Sequence, residues 1–136
     1  MKNFISEKFI VVRDLPVTVD LVDPLDPDDI FGTAEEETSE AFGAERVSVA
    51  KITLWAADVL HGHKEREETY IFVEGRGELF LDDEIFKVGP GVKAIIKPGV
   101  VHAARPKNDE EMVFWCVSVP AFNPEDVYND PRGREW

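Results

Sequence analysis

From residue 46 to residue 119 the chain is cut every several residues by a turn signal, and that spacing leaves room for strands but little for helix. The runs RVSVAKITLW, TYIFV, ELFLD, EIFKV and MVFWCVSVP are rich in β-branched and aromatic side chains, which suit a pleated, half-buried surface. Between them stand Gly75-Arg76-Gly77, Asp82-Asp83, Gly89-Pro90-Gly91 and Pro98-Gly99, residues that favour tight turns. Short strands at this spacing predict an all-β sandwich or barrel. Residues 8–13, KFIVVR, add a strand ahead of it, ended by Asp14 and Pro16. With 136 residues the chain has the length of one domain with its own core. It divides into an N-terminal strand and acidic loop over 1–45, a barrel over 46–119 and a tail over 120–136.

The chain holds three histidines, at positions 61, 63 and 102. Alternate side chains of a strand share a face, so His61 and His63 point the same way while Gly62 points the other. Glu68 opens the apolar run TYIFV, and an unpaired ionised carboxylate is costly to bury, so it needs a partner there. His102 follows the Pro98-Gly99 turn on a later strand. Three neutral nitrogens and one anionic oxygen suit a divalent transition metal: iron, manganese, nickel, copper or zinc.

These residues resemble the cupins. The first cupin motif places two histidines one residue apart, then three or four residues, a glutamate, six residues and a glycine, as His61, His63, Glu68 and Gly75 do here. Gly91, Gly99 and His102 fall in the register of the second motif. Trp55 stands where the first motif has its leading glycine, Lys97 replaces a proline found here one step later as Pro98, and Pro106 takes the closing asparagine position. None of these departures removes a ligand. The resemblance implies a double-stranded β-helix, or jelly-roll barrel, with one divalent metal held by His61, His63, Glu68 and His102. Cupins include dioxygenases, decarboxylases, isomerases, lyases and non-catalytic binders, so the fold alone does not decide among them. The expectation is a metal-dependent enzyme of oxygenase type acting on a small organic substrate, with Glu68 also serving as a base. The alternatives are a redox-neutral isomerase or lyase acting on a sugar or sugar-acid derivative, and a small-molecule binder without turnover.

Strand parity extends the expected pocket. Counting back by twos from His61 puts Trp55, Thr53 and Lys51 on the metal-facing side, on the condition that no bulge intervenes at Ala56 to Leu60. Tyr70 and Phe72 share the face of Glu68, and Phe114 and Cys116 share a face of the last strand with Ser118. The opposite stripe of that strand, Val113, Trp115, Val117 and Val119, needs cover, and a second copy of the chain is the expected partner, giving a homodimer. Thr33 and Glu36 stand at capping-box spacing, which predicts that TAEEETSEAF begins a short helix or an acidic lid. The Asp- and Pro-rich stretch from Asp20 to Gly32 reads as a solvated loop. Phe122, Val127 and Tyr128 are expected to clasp the barrel or a partner, and the final PRGREW to be loose.

Lysine and arginine number 15 against 28 aspartates and glutamates, a formal net charge of -13. A field of that sign repels phosphate backbones and anionic membrane surfaces, so neither nucleic acid nor membrane is an expected partner. The lone cysteine, Cys116, excludes an intramolecular disulfide and fits a reducing compartment. The opening MKNFISEKFIVVRD does not read as a secretory signal, so the cytoplasm is the expected location.

Overall fold

The computed structural model describes residues 4–6, 8–12, 32–38, 47–108, 110–121 and 123–136. Among these, the chain forms β1 (Phe4–Ile5), β2 (Phe9–Val12), β3 (Gly32–Thr38), β4 (Ser48–Leu54), β5 (His61–His63), β6 (Glu67–Glu74), β7 (Gly77–Leu81), β8 (Glu84–Val88), β9 (Lys93–Ile96), β10 (His102–Pro106), β11 (Met112–Val119) and β12 (Val127–Asn129), with a 3₁₀ turn at Pro124–Asp126. A seven-stranded sheet runs β1-β2-β9-β6-β11-β4-β3 and faces a five-stranded sheet ordered β12-β5-β10-β7-β8. Among the described residues the neighbouring strands of both sheets pair antiparallel. This is the all-β sandwich expected from the strand spacing, in the double-stranded β-helix form that the cupin resemblance implied.

The register lines up three rungs across the seven-stranded sheet, all on its inward face. Ser48, Ser118, Glu68 and Ile96 form the first; Ala50, Cys116, Tyr70 and Ala94 form the second; Ile52, Phe114 and Phe72 form the third. The third rung joins Leu54, Met112, Leu79 and Leu81 in the main core, where all four of those side chains are fully buried. Burying a side chain of that size stabilises a fold by roughly 1.5–3 kcal/mol. The Phe114 ring centroid lies 4.6 Å from Tyr70 and 5.1 Å from Phe72, within the range of favourable aromatic pairing.

Two local readings are corrected here. Residues 32–38 pair with β4 as a strand, from Gly32 opposite Leu54 to Thr38 opposite Val49. The capping-box spacing of Thr33 and Glu36 is a local signal only, and the open edge of β4 offers backbone partners that outweigh it. The rest of the expected helix, residues 39–42, and the acidic loop through residue 31 lie outside the described residues. Lys51 and Thr53 are buried, but on the sheet's other face, in register with Trp115 and Val113. The chain leaves the seven-stranded sheet after Leu54 and enters the other at His61 through six residues without strand structure, so parity does not carry across. Trp55, at the start of that crossing, is exposed.

The β7–β8 turn is made by Asp82 and Asp83, both with positive φ, 49° and 73°, the signature of a tight hairpin. The tail is anchored rather than loose. Val127 and Tyr128 do clasp the barrel, since β12 pairs with β5; Phe122 lies outside the described residues. The Trp136 ring packs 5.6 Å from Phe80 and under the Arg105 guanidinium, and its indole N–H donates to the Asp58 carbonyl at 3.2 Å. Val113 and Trp115 are buried within one chain, while Val119 is exposed. No helix among the described residues is long and apolar enough to cross a membrane.

Candidate metal centre

The alternation of His61-Gly62-His63 puts both rings on the inward side of β5, and the pairing of β5 with β10 sets His102 directly opposite His61. Glu68 reaches in from the facing sheet. One donor atom from each of the four residues lies within 4.8 Å of all the others. Ligands sharing one ion at bonds of about 2.1 Å stand about 3 to 4.2 Å apart, so small side-chain shifts bring all four onto it. His61 Nδ1 lies 2.7 Å from the Val59 carbonyl and His102 Nδ1 2.9 Å from the Val100 carbonyl. A carbonyl requires an N–H opposite it, which turns Nε2 of each ring toward the centre, where its lone pair can serve a metal once that nitrogen carries no proton.

The protonation of the site also suits a cation. Burial, helped by the neighbouring His102, pushes His61 down to about 3, so its ring is neutral. Burial alone would raise the Glu68 carboxyl, but the hydrogen bonds and charges of His102 and His63 hold it well below the usual carboxylate range. Glu68 Oε1 lies 2.7 Å from His63 Nε2 and 2.9 Å from His102 Nε2. Its Oε2 accepts from the Cys116 thiol at 3.0 Å and the Ser118 hydroxyl at 3.3 Å. Burial pushes the Cys116 thiol well up, so it acts as a neutral donor. A neutral imidazole and an ionised carboxylate are the forms that bind metal.

Three of the four, His61, His63 and Glu68, line a cavity of about 550 Å³, and His102 stands against Glu68 beside it. Tyr70 and Cys116 line it. Phe72 and Phe114 do not: they lie one rung deeper, in the apolar core. On β4 the wall is Ser48, Ala50 and Ile52, the last two alternating with the expected Lys51 and Thr53. A second cavity, of about 530 Å³ and lined by Arg76, Glu78, Lys87 and Lys107, lies at the opposite end of β7 and β10 from His102.

Sequence reasoning missed three residues. Asp58 lines the cavity, its Oδ2 4.0 Å from His61 Nδ1, and burial raises its carboxyl. It sits in the crossing between the sheets, where no periodicity points to it. Arg66 is buried and lines the same cavity, with Nη2 2.8 Å from His63 Nδ1 and Nε 3.7 Å from Glu68 Oε2. Its signal was available, since a short loop between two ligands cannot stray far from them. Asp126 comes from the tail. Its Oδ1 accepts from the amides of Lys64 and Glu65, both at 3.0 Å, and its Oδ2 from that of Arg66 at 3.2 Å, pinning the loop that joins His63 to Glu68.

Residues 54–119 match the Cupin domain family. An uncharacterized protein of Methanocaldococcus jannaschii is 32% identical over 78 residues, which is 57% of this chain and 62% of that relative. Three solved structures share the fold. A double-stranded β-helix protein from Klebsiella pneumoniae has a TM-score of 0.66 at 18% identity, covering 77% of this chain and 84% of that one. The oxalate decarboxylase of Lactobacillus farciminis, solved as a formate complex, has a TM-score of 0.64 at 21% identity, covering 75% and 32%. A nucleoside dehydratase of Streptomyces, solved with uridine, has a TM-score of 0.58 at 15% identity, covering 95% and 83%. At these identities the likeness is one of fold.

Proposed function

The chain belongs to the cupin superfamily, and within it we propose a metal-dependent enzyme of oxygenase type that acts on a small organic molecule held in the barrel. The observation that carries this reading is the convergence of His61, His63, Glu68 and His102 beside a cavity large enough for such a molecule. When bound, a divalent transition metal supplies Lewis acidity there and, if redox-active, the electrons that chemistry with dioxygen requires. The chain's own residues supply the rest. Glu68 is ionised and is placed to accept a proton from a substrate beside it. Ala50, Ile52, Val59 and Val127 give the cavity an apolar side against which the hydrocarbon part of a substrate can pack.

A second reading, redox-neutral isomerisation or elimination, is favoured by Asp58. It places another carboxyl on the cavity, beside His61 rather than beside Cys116 and Ser118, and two carboxyls in different environments can serve as separate proton donor and acceptor.

Elemental analysis of purified wild type, His63→Ala and His102→Ala tests the proposal. The expected result is near one iron, nickel, copper or manganese per chain in wild type, loss in both variants, and oxygen uptake when substrate candidates are supplied. Stoichiometric zinc without oxygen uptake supports the second reading. Wild-type protein that takes up no metal even on reconstitution refutes both.

A further inference from the structure

We propose that the segment from Asp126 to Trp136 is a strap that positions the metal ligands, with Asp126 as its positioning residue, so that metal binding and docking of the strap reinforce each other; this rests on the metal reading above. The match to the cupin family ends at residue 119, so the strap lies outside the part of the chain that carries the donors. Yet it backs the stretch that bears His61 and His63 and leads to Glu68. Arg134 Nε donates to the Ala57 carbonyl at 3.0 Å and Trp136 Nε1 to that of Asp58 at 3.2 Å. The Leu60 amide donates to the Gly133 carbonyl at 2.8 Å, and the Asp130 amide to the Leu60 carbonyl at 2.9 Å. Then β12 pairs with β5, and the Asp126 carboxylate accepts from the amides of Lys64, Glu65 and Arg66.

Two features tie this grip to the metal. The first is that β5 depends on it. Its pairing with β10 has a single position, His102 opposite His61, and the Gly99 amide adds one bond to the His63 carbonyl at 2.7 Å. By contrast, β12 matches His61, Gly62 and His63 in turn. Without the strap β5 becomes an edge strand with unpaired backbone groups. The second is the place of the Asp126 carboxylate. Successive amides converging on one anion form a nest, and this nest lies in the short loop between His63 and Glu68. With Asp126 seated in it, the loop keeps one shape and the two donors keep one separation. A metal ion gathers the same donors, so it binds the strapped arrangement more tightly than a loosened one. By linkage it then holds the strap in place by the same factor.

Cobalt titration and amide hydrogen exchange on the full chain test this. A nitrogen and oxygen site that takes iron or manganese takes cobalt at least as tightly, and the visible spectrum of bound cobalt reports the arrangement of its ligands. Asp126→Ala is expected to lower cobalt affinity by about 10- to 100-fold, as losing groups that orient ligands does, and to alter that spectrum. Asp126→Asn, which keeps an oxygen for the amides of Lys64 and Glu65, is expected to fall between. Saturating cobalt is expected to slow exchange of the Asp130 amide by about tenfold or more in wild type, and by less than about threefold in Asp126→Ala. Val88→Ala, a change in the main core away from the strap, is expected to destabilise the fold and leave cobalt affinity within about threefold. Wild-type affinity in Asp126→Ala, strap exchange that cobalt leaves unchanged in wild type, or an equal loss of affinity in Val88→Ala each overturns the proposal. If Asp126→Ala does not fold, Asp126→Asn decides, and an affinity equal to that of wild type overturns it. Wild type that takes up no cobalt on reconstitution refutes the metal reading and this proposal with it, whereas the preceding results overturn the proposal and leave that reading standing.

Discussion

On β4, β11 and β6 the first and third rungs of the seven-stranded sheet lie on the same inward face, yet on these three strands they have opposite chemistry. On β4 the inward residues run Ser48, Ala50, Ile52; on β11 they run Ser118, Cys116, Phe114; on β6 they run Glu68, Tyr70, Phe72. Each strand passes from polar through intermediate to fully apolar in the same two steps. The barrel interior is thus divided along its length. One end joins large apolar side chains that hold the sheets together, and the other holds partnered polar groups that stabilise little but can bind and react. The division explains how a buried carboxylate is tolerated near a packed core: Glu68 faces histidines, a thiol and a hydroxyl, while Phe72, four residues on, is fully buried among hydrocarbon.

Substitution at the apolar end has the largest expected effect. Phe114→Ala removes a fully buried ring packed at a tilt against Tyr70 and Phe72, at a cost of about 3–5 kcal/mol. That is a large share of the roughly 5–15 kcal/mol by which a domain is stable. Chemical denaturation is expected to show that loss, while metal affinity measured on the folded fraction stays within about threefold of wild type, since no donor atom is touched. A loss of affinity matching the loss of stability would abolish the division between the two ends.

How legible this division was in the sequence depended on whether a residue sat in a strand. The four donors were legible from spacing, because the alternation in β5 and the turn before β10 leave little freedom. Tyr70 and Cys116 followed from parity, each counted along an uninterrupted strand. Lys51 and Thr53 were misplaced because the count ran through residues 55–60, where the chain changes sheets. Asp58 and Arg66 project from segments outside the strands, so no period marks them. Asp126 is sixty residues from the amide of Arg66 that it holds, a pairing that only tertiary structure creates. The strand at residues 32–38 shows the same limit from the other side: its local pattern favours a helix start, and the edge of β4 decides otherwise.

An intermediate effect is expected where the tail meets the polar end. A Cβ on Gly62 would stand 2.5 Å from the Tyr128 hydroxyl oxygen, so Gly62→Ala makes the Tyr128 ring, or the strand that carries it, give way. Overpacking of this kind costs typically about 1–3 kcal/mol. Because His61 and His63 flank the site of conflict, metal affinity is also expected to fall, by about 10- to 100-fold, as when groups that orient ligands are lost. The double variant Gly62→Ala, Tyr128→Ala is expected to recover much of the affinity, and binding titrations on the three proteins check this. Failure of Tyr128→Ala to restore binding would mean that the strap does not act through that contact.

The smallest effect is expected at the middle rung, where the two regimes meet. Cys116 is buried, and its thiol donates to Glu68 Oε2 at 3.0 Å, while its rung neighbours are Ala50 and Tyr70. Cys116→Ser keeps a donor for the carboxylate but is smaller and more polar on a partly apolar rung. The two changes oppose each other, and the net cost to stability is expected to be no more than about 1 kcal/mol. Metal affinity should stay within about threefold, because the hydroxyl can still hold Glu68 in place. Denaturation and metal titration of the single variant read both quantities. A cost near that of Phe114→Ala would place Cys116 with the packed core, and a drop in affinity near that of Gly62→Ala would place it with the binding groups. Either result moves the boundary between the two ends by one rung and shows which side of it Tyr70, directly across from Cys116, belongs to.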